Sequence, residues 1–257
     1  MHTRPAGLLL DLDGTVWEED SLIQGADEAV AALRAAGVPL RFVTNITRVP
    51  RVTLAGWLAE FGIPAVADDV FTPPLAAAAW LRERGINRVF LCLPEHAHVE
   101  FDDFIIDREL PSAVVVGDLG AGWTYEILND AFNRILDGAE FLALHRNRYW
   151  KTGGGLAVDA GAFVAALEYA SGREATLVGK PSQPLYEAAA ASIGLKVGEV
   201  AMVGDTLESD IAGAKQVGCQ AILVRTGKFD AEELADSSVQ PDRVIDSIAE
   251  LPGLFIE

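Results

Sequence analysis

The chain has 257 residues, half of them hydrophobic and 23% charged, which suits one large domain or two modest ones and excludes a disordered or fibrous protein. Its 38 acidic and 20 basic residues leave a net charge of -18, a surface that repels nucleic-acid phosphates and anionic lipid, so neither is expected as a partner. No apolar run is long enough to span a membrane, and Met1-His2-Thr3-Arg4-Pro5-Ala6-Gly7 leads into Asp11 and Asp13 without the longer apolar region and cleavage site of a signal peptide.

In chain order, residues 7–12 read as a buried strand and residues 26–36 as a helix stopped at Gly37. Residues 39–44 form the next strand, and residues 51–61 a helix closed by Gly62. This rhythm, with continuously apolar strands, marks a parallel sheet covered on both faces. The texture then changes, from Thr72-Pro73-Pro74 to Val178-Gly179. That stretch has its own strands at 88–93, 113–117 and 140–145, and its own helices at 76–84, 125–136 and 160–171. About a hundred residues can carry a separate core. The expected organisation is therefore a core of residues 1–72 and 178–257 with residues 73–177 inserted as a second domain. The first rhythm returns with a strand at 199–204, a helix at 210–217 stopped by Gly218, a strand at 220–226, and a short strand or helix at 243–250. Cys92 and Cys219 lie in apolar stretches and read as buried thiols rather than as a disulfide or metal framework, which fits a cytoplasmic location.

The strongest chemical signal is Asp11-Leu12-Asp13-Gly14-Thr15, directly after the first apolar strand. Ligands of parallel α/β sheets bind beyond the carboxyl ends of strands. Two carboxylates two residues apart are costly there without a counter-charge, and a divalent cation is the natural remedy. The plain competitor is an Asx turn with chance acidic neighbours. Three further elements sit at equivalent places. Phe42-Val43-Thr44-Asn45 ends the second strand with a hydroxyl and an amide able to donate to a phosphate. Lys180, in Gly179-Lys180-Pro181-Ser182, follows the apolar residues 175–178 and can neutralise phosphate charge or the aspartate pair. Val203-Gly204-Asp205-Thr206-Leu207-Glu208-Ser209-Asp210 again joins a strand end to a helix, and Asp205 can complete a set of hard oxygen ligands suited to Mg²⁺.

Taken together, these four elements resemble the phosphatases of the haloacid dehalogenase superfamily. The middle stretch extends the likeness to the NagD-type branch, subfamily IIA, whose cap is a large α/β domain of the C2 type. It does so through Val114-Val115-Val116-Gly117 and Thr124-Tyr125-Glu126-Ile127-Leu128-Asn129-Asp130-Ala131-Phe132. Arg148-Tyr149-Trp150-Lys151 and Phe163-Val164-Ala165-Ala166-Leu167-Glu168-Tyr169-Ala170 look closer still to one subgroup. That subgroup holds the haloacid dehalogenase-like domain-containing protein 2 and the phospholysine phosphohistidine inorganic pyrophosphate phosphatase.

The resemblance implies an α/β fold, a Rossmann-like parallel-sheet core with an inserted α/β cap, and a Mg²⁺-dependent hydrolysis of a small phosphorylated metabolite. Asp11 is then the nucleophile that becomes an aspartyl phosphate, and Asp13 the general acid and base. Mg²⁺ lies among the Asp11 carboxylate, the Asp13 backbone carbonyl and Asp205; Thr44, Asn45 and Lys180 hold phosphoryl oxygens; Asp210 orients Lys180 or a metal-bound water. Glu208 faces either the metal or the solvent. A homodimer built through the cap is compatible with this type. The alternatives are a phosphotransferase or phosphomutase on the same scaffold, and a non-catalytic binding protein. One departure from the branch is Ile46-Thr47-Arg48 after Asn45, where relatives carry a second Asn and a Ser/Thr cluster.

The core motifs touch only the phosphoryl group, so choice of leaving group is expected from the cap. Residues 145–151 follow an apolar strand, and His145, Arg148 and Tyr149 offer hydrogen bonds, charge and stacking surface. Packing of Tyr149 and Trp150 into the cap core is the competing expectation. Gly153-Gly154-Gly155 lacks the Lys-Ser/Thr of a phosphate loop and reads as a turn, and His96 and His98 read as exposed loop residues.

Overall fold

A computed structural model describes residues 4–152 and 154–256. The N-terminal residues 1–3 and Gly153 of the triple-glycine turn, on which two of the sequence expectations fall, lie outside the described residues. The chain forms two compact units. The first takes the chain up to Thr44, Arg51–Phe71, and everything from Lys180 onward; the second takes Asn45–Pro50 and Thr72–Gly179.

The first unit is built on a six-stranded sheet in the order Arg243–Ile245, Gln220–Val224, Val200–Gly204, Gly7–Leu10, Leu40–Val43, Val70–Phe71. Every pairing in it is parallel. The central strand is buried on both faces, with Leu8, Leu9 and Leu10 all at 0% exposure, as an unbroken apolar run requires. The helix Ala26–Ala35 buries Ala26, Ala29, Val30 and Leu33, one stripe at the helical repeat. Asp27 and Glu28 in its first turn and Arg34 near its end complement the helix dipole.

The second unit has a five-stranded parallel sheet in the order Thr176–Leu177, Glu140–Ala143, Ala113–Val116, Arg88–Cys92, Ile105–Ile106. Its strands alternate between two cores. Val89, Leu91, Val115 and Leu142 pack on one side; Phe90, Cys92, Val114, Val116, Phe141 and Ala143 pack on the other. Helices Tyr125–Leu136 and Ala160–Ser171 close the second side, where Trp123 stacks on Phe163 with ring centroids 4.4 Å apart. Their N-termini are capped by Thr124 Oγ1, which accepts from Ile127 N, and by Asp159, which accepts from Ala160 N.

The elements differ from the sequence reading mainly at their ends. The first strand stops at Leu10, yet Leu12 is fully buried, so the apolar pattern runs past the ladder. The helix expected at 76 starts at Pro73, because two prolines fit a first helical turn that needs no N–H partners. The helix expected at 210 begins with a wide π turn, Leu207–Ala212, where both Asp210 N and Ile211 N donate to Thr206 O. A hairpin of Tyr149–Thr152 and Gly155–Val158 adds to the elements expected from sequence. Both cysteines are buried, and burial pushes each thiol up to about 12, so neither is a nucleophile. Among the described residues, no helix is long and apolar enough to cross a membrane.

Candidate active site

The parallel sheet of the first unit puts the ends of its strands along one edge. Leu10 is in register with Phe42 on one side and Val203 on the other. Asp11, Thr44 and Asp205 each come directly after a strand, so three neighbouring strands deliver them side by side. Asp11 N still donates to Val203 O at 2.9 Å, and Thr44 N to Phe71 O at 3.0 Å, so backbone bonds fix where both side chains start. Lys180 is the residue at which the chain re-enters this unit.

Four charged side chains meet there and all are buried. Lys180 Nζ lies 2.5 Å from Asp11 Oδ1 and 2.7 Å from Asp210 Oδ1. Asp11, Asp205 and Asp210 each place a carboxylate oxygen within 4.8 Å of the others. Asp210 Oδ2 accepts from Thr206 N, and Asp205 Oδ1 accepts from Thr206 Oγ1, so the strand-to-helix turn holds two of the three carboxylates. Exposures are 6% for Asp11, 3% for Lys180, 2% for Asp205 and 0% for Asp210. Three acids against one base are one divalent charge short of neutrality.

That deficit shows in the protonation of the group. Burial, together with the charges of Asp210 and Asp205, pushes Asp11 up to about 8 although Lys180 pulls it down. Burial and Asp210 push Asp205 up to about 6. Burial alone would lower Lys180, but Asp11 and Asp210 outweigh it and hold its ammonium above the ordinary range. A hard divalent cation fits this cluster on three counts: its donors are carboxylate oxygens, it is closed to solvent, and it lacks positive charge.

Asp13 stands apart from the buried group. The chain turns sharply after Leu12, with Gly14 N donating to Trp17 O, and leaves the Asp13 side chain 47% exposed at the rim. Gly14 has φ of +86°, and a Cβ on it would sit 2.0 Å from Asp205 Oδ2, so only glycine lets the two acidic turns close on each other. The side chain of Asp13 faces Lys228, a residue that carries no signal in the sequence analysis: its Nζ is 3.7 Å from Asp13 Oδ2, and its N–H donates to Asp205 Oδ2 at 2.7 Å. Burial opposes the Lys228 charge, but Asp13 and Asp205 raise it above its usual range. Arg225-Thr226-Gly227-Lys228 comes after the strand Gln220–Val224, and that position beyond a parallel strand is the one sequence clue to it.

Other candidates lie elsewhere. Glu208 is exposed and outside the acidic group. Asn45 belongs to the second unit, half-buried against Gly179, whose Cβ would come within 2.9 Å of its Oδ1. The departure after Asn45 is structural there: Thr47 is buried and accepts from Asp118 N, and Arg48 pairs with Asp118. His96 is exposed, its ring bonded to Arg48 O. His145 is 2% exposed, with Nδ1 accepting from Asn147 N and Nε2 turned to Asp159 at 3.7 Å. Its neighbours differ: Arg148 is exposed, and Tyr149 and Trp150 are 49% and 37% exposed, so the two aromatics are not interior to the cap.

The comparisons with known proteins agree with this geometry. The profile described as haloacid dehalogenase-like hydrolase matches residues 8–106, and that described as HAD-hydrolase-like matches residues 177–251. The chain is 36% identical to the phospholysine phosphohistidine inorganic pyrophosphate phosphatase of Rattus norvegicus over 98% of its own length and 94% of the relative's. It is 41% identical to the haloacid dehalogenase-like hydrolase domain-containing protein 2 of Homo sapiens, covering 88% of this chain and 86% of that one. The chain belongs to the haloacid dehalogenase-like hydrolases. The 4-nitrophenylphosphatase of Thermotoga maritima superposes with a TM-score of 0.92 at 30% identity over 98% of both chains. NagD of E. coli K-12 superposes with 0.88 at 26% identity over 96% of this chain and 98% of the other. This member of the family is thus a phosphatase of the NagD-like branch, with two parallel α/β sheets, and its acidic triad is of the kind that holds the family's metal.

Removing Lys180 should expose the charge deficit. Lys180→Met strands buried carboxylates without their ammonium, and the metal-free protein is expected to lose about 3–5 kcal/mol of unfolding free energy in urea. Adding Asp210→Asn to it should return part of that loss. An unchanged midpoint in Lys180→Met would show that the pair contributes no net stability.

Proposed function

We propose that this chain hydrolyses a small phosphorylated metabolite in two steps, with Asp11 as nucleophile, Asp13 as acid and base, and Mg²⁺ as cofactor. The observation that carries the reading is the division of labour between two aspartates of one turn. Asp11 is buried and bonded to Lys180, whereas Asp13 is half-exposed beside it.

In the first step an Asp11 carboxylate oxygen attacks phosphorus in line, the bond to the leaving oxygen breaks, and Asp13 gives that oxygen its proton. In the second step water attacks the phosphorus of the aspartyl phosphate, Asp13 takes the water's proton, and phosphate leaves with Asp11 restored. Lys180 and Thr44, joined by Asn45 in this reading, hold the other phosphoryl oxygens, so positioning and charge supply most of the rate. Asp210 orients Lys180. Mg²⁺ would be held by the Asp11 and Asp205 carboxylates and the Asp13 carbonyl, and when bound supplies positive charge to the phosphoryl oxygens. A rim acid suits a phosphatase better than a site sealed for carbon chemistry or for binding alone.

Residues 73–177 are assigned the role of cap, and the exposed Arg148 and Tyr149 the choice of leaving group. The activities named for the relatives span phospholysine, phosphohistidine, inorganic pyrophosphate and 4-nitrophenyl phosphate, so the phosphoryl group is the shared element and the substrate's remainder is left to the cap. The buried His145 acts in this reading by shaping the loop.

Asp11→Asn is expected to fold with a melting temperature close to that of the unaltered chain at neutral pH, since burial keeps the Asp11 carboxyl protonated up to about pH 8, and to release no phosphate from 4-nitrophenyl phosphate. Turnover near that of the unaltered chain would end the nucleophile assignment.

Metal binding should depend on pH in a stated direction. Burial holds Asp11 near about 8, so below that pH a cation must displace its proton. The rise in melting temperature on adding Mg²⁺ should therefore be small at about pH 6 and larger at about pH 9. An equal or larger shift on the acid side would contradict the site.

A further inference from the structure

We propose that Lys228 is a positioning residue for Asp13, holding its carboxyl against the leaving group; this rests on the phosphatase reading above. Three observations lead to it. First, the loop that carries Lys228 is fastened to both acidic turns. Its N–H donates to Asp205 Oδ2 at 2.7 Å, and Thr226 Oγ1 donates to Gly14 O at 2.5 Å. Gly227 lies so close that a Cβ on it would come within 2.5 Å of Gly14 Cα. The base of the lysine is thus fixed beside residues 13 and 14. Second, Asp13 is the one carboxylate within 4 Å of the Lys228 ammonium among the described residues, at 3.7 Å. Third, the Asp13 side chain is 47% exposed and Lys228 33% exposed, so the pair sits at the rim, where a leaving group departs, and not within the buried group.

An acid that must face the leaving oxygen in one step and water in the next needs a restricted orientation. At half exposure, packing supplies little of it, and a charge on a fixed loop supplies the rest. Lys180 cannot do this, since its ammonium lies within the buried group, against Asp11 and Asp210. The two lysines therefore divide the site: Lys180 serves the buried carboxylates and Lys228 the rim acid.

The substitution Lys228→Met tests this, because it removes the ammonium and keeps the amide that bonds Asp205. First-turnover release of the alcohol from an alkyl phosphate, whose leaving oxygen must be protonated, should slow about tenfold more than first-turnover release of 4-nitrophenolate from 4-nitrophenyl phosphate, whose leaving group departs as an anion; the full contribution of a general acid is roughly 10²–10⁴-fold. The loss should be in the maximal first-turnover rate with the half-saturating substrate concentration nearly unchanged, the melting temperature should hold, and Lys228→Arg should recover most of the rate. Equal loss in first-turnover release from the two esters, a change confined to the half-saturating substrate concentration, or no rescue by arginine would overturn the proposal. Asp13→Asn is run alongside. If it spares first-turnover release of 4-nitrophenolate while Lys228→Met does not, Lys228 is refuted and the acid assignment stands. If Asp13→Asn slows the first-turnover release of both leaving groups alike, the acid assignment itself has failed.

Discussion

Three buried carboxylates sharing one buried ammonium is the constraint on which the site depends. Charges in such surroundings are costly unless each has a partner, and here the partners are too few. Lys180 meets Asp11 and Asp210, Thr206 supplies hydrogen bonds to Asp205 and Asp210, and the balance is left for a cation. Burial, with the charges of Asp210 and Asp205, pushes Asp11 up to about 8, so its charged form needs more positive charge nearby than Lys180 supplies. An active site of this kind is poised by its shortage, since the charge it lacks is the charge a phosphoryl group also requires.

The fold makes the arrangement possible without strain in the strands. Parallel neighbours bring successive strand ends to one edge, so residues far apart in sequence, Asp11, Thr44 and Asp205, arrive together from backbone register alone. The turns beyond the strands differ in kind. After Leu10 a tight turn directs Asp13 to the rim; after Gly204 a wide helical turn brings Asp210 back beneath it. Gly14 is required because the Asp205 carboxylate occupies the space of a side chain.

Much of this is legible in the sequence because each motif sits where an apolar run stops. The pair Asp11 and Asp13 comes after Leu8, Leu9 and Leu10, and no solvated loop would place acids there. The α/β architecture and the NagD-like phosphatase branch are legible for the same reason, through motif order. Strand ends are not: Leu12 is as buried as Leu10, so hydrophobicity cannot mark where the ladder ends. Lys228 is missed because a lysine after glycine looks like solvated surface, and its place depends on contacts with residues over two hundred positions away. His145 looks like a surface group because it comes after a strand, yet a buried hydrogen-bonded histidine leaves the same trace. The hairpin of residues 149–158 escapes notice because its apolar residues face outward, so no core pattern announces it.

The covalent role of Asp11 is the claim on which the mechanism stands or falls. Reductive trapping measures it most directly: the protein is quenched during turnover of 4-nitrophenyl phosphate, treated with tritiated borohydride to convert any aspartyl phosphate into homoserine, and its peptides are sequenced. Labelled homoserine is expected at position 11, in greater amount in Asp13→Ala, where breakdown of the intermediate slows. Label at a different carboxylate, or none at position 11 while phosphate is being released, would contradict the mechanism.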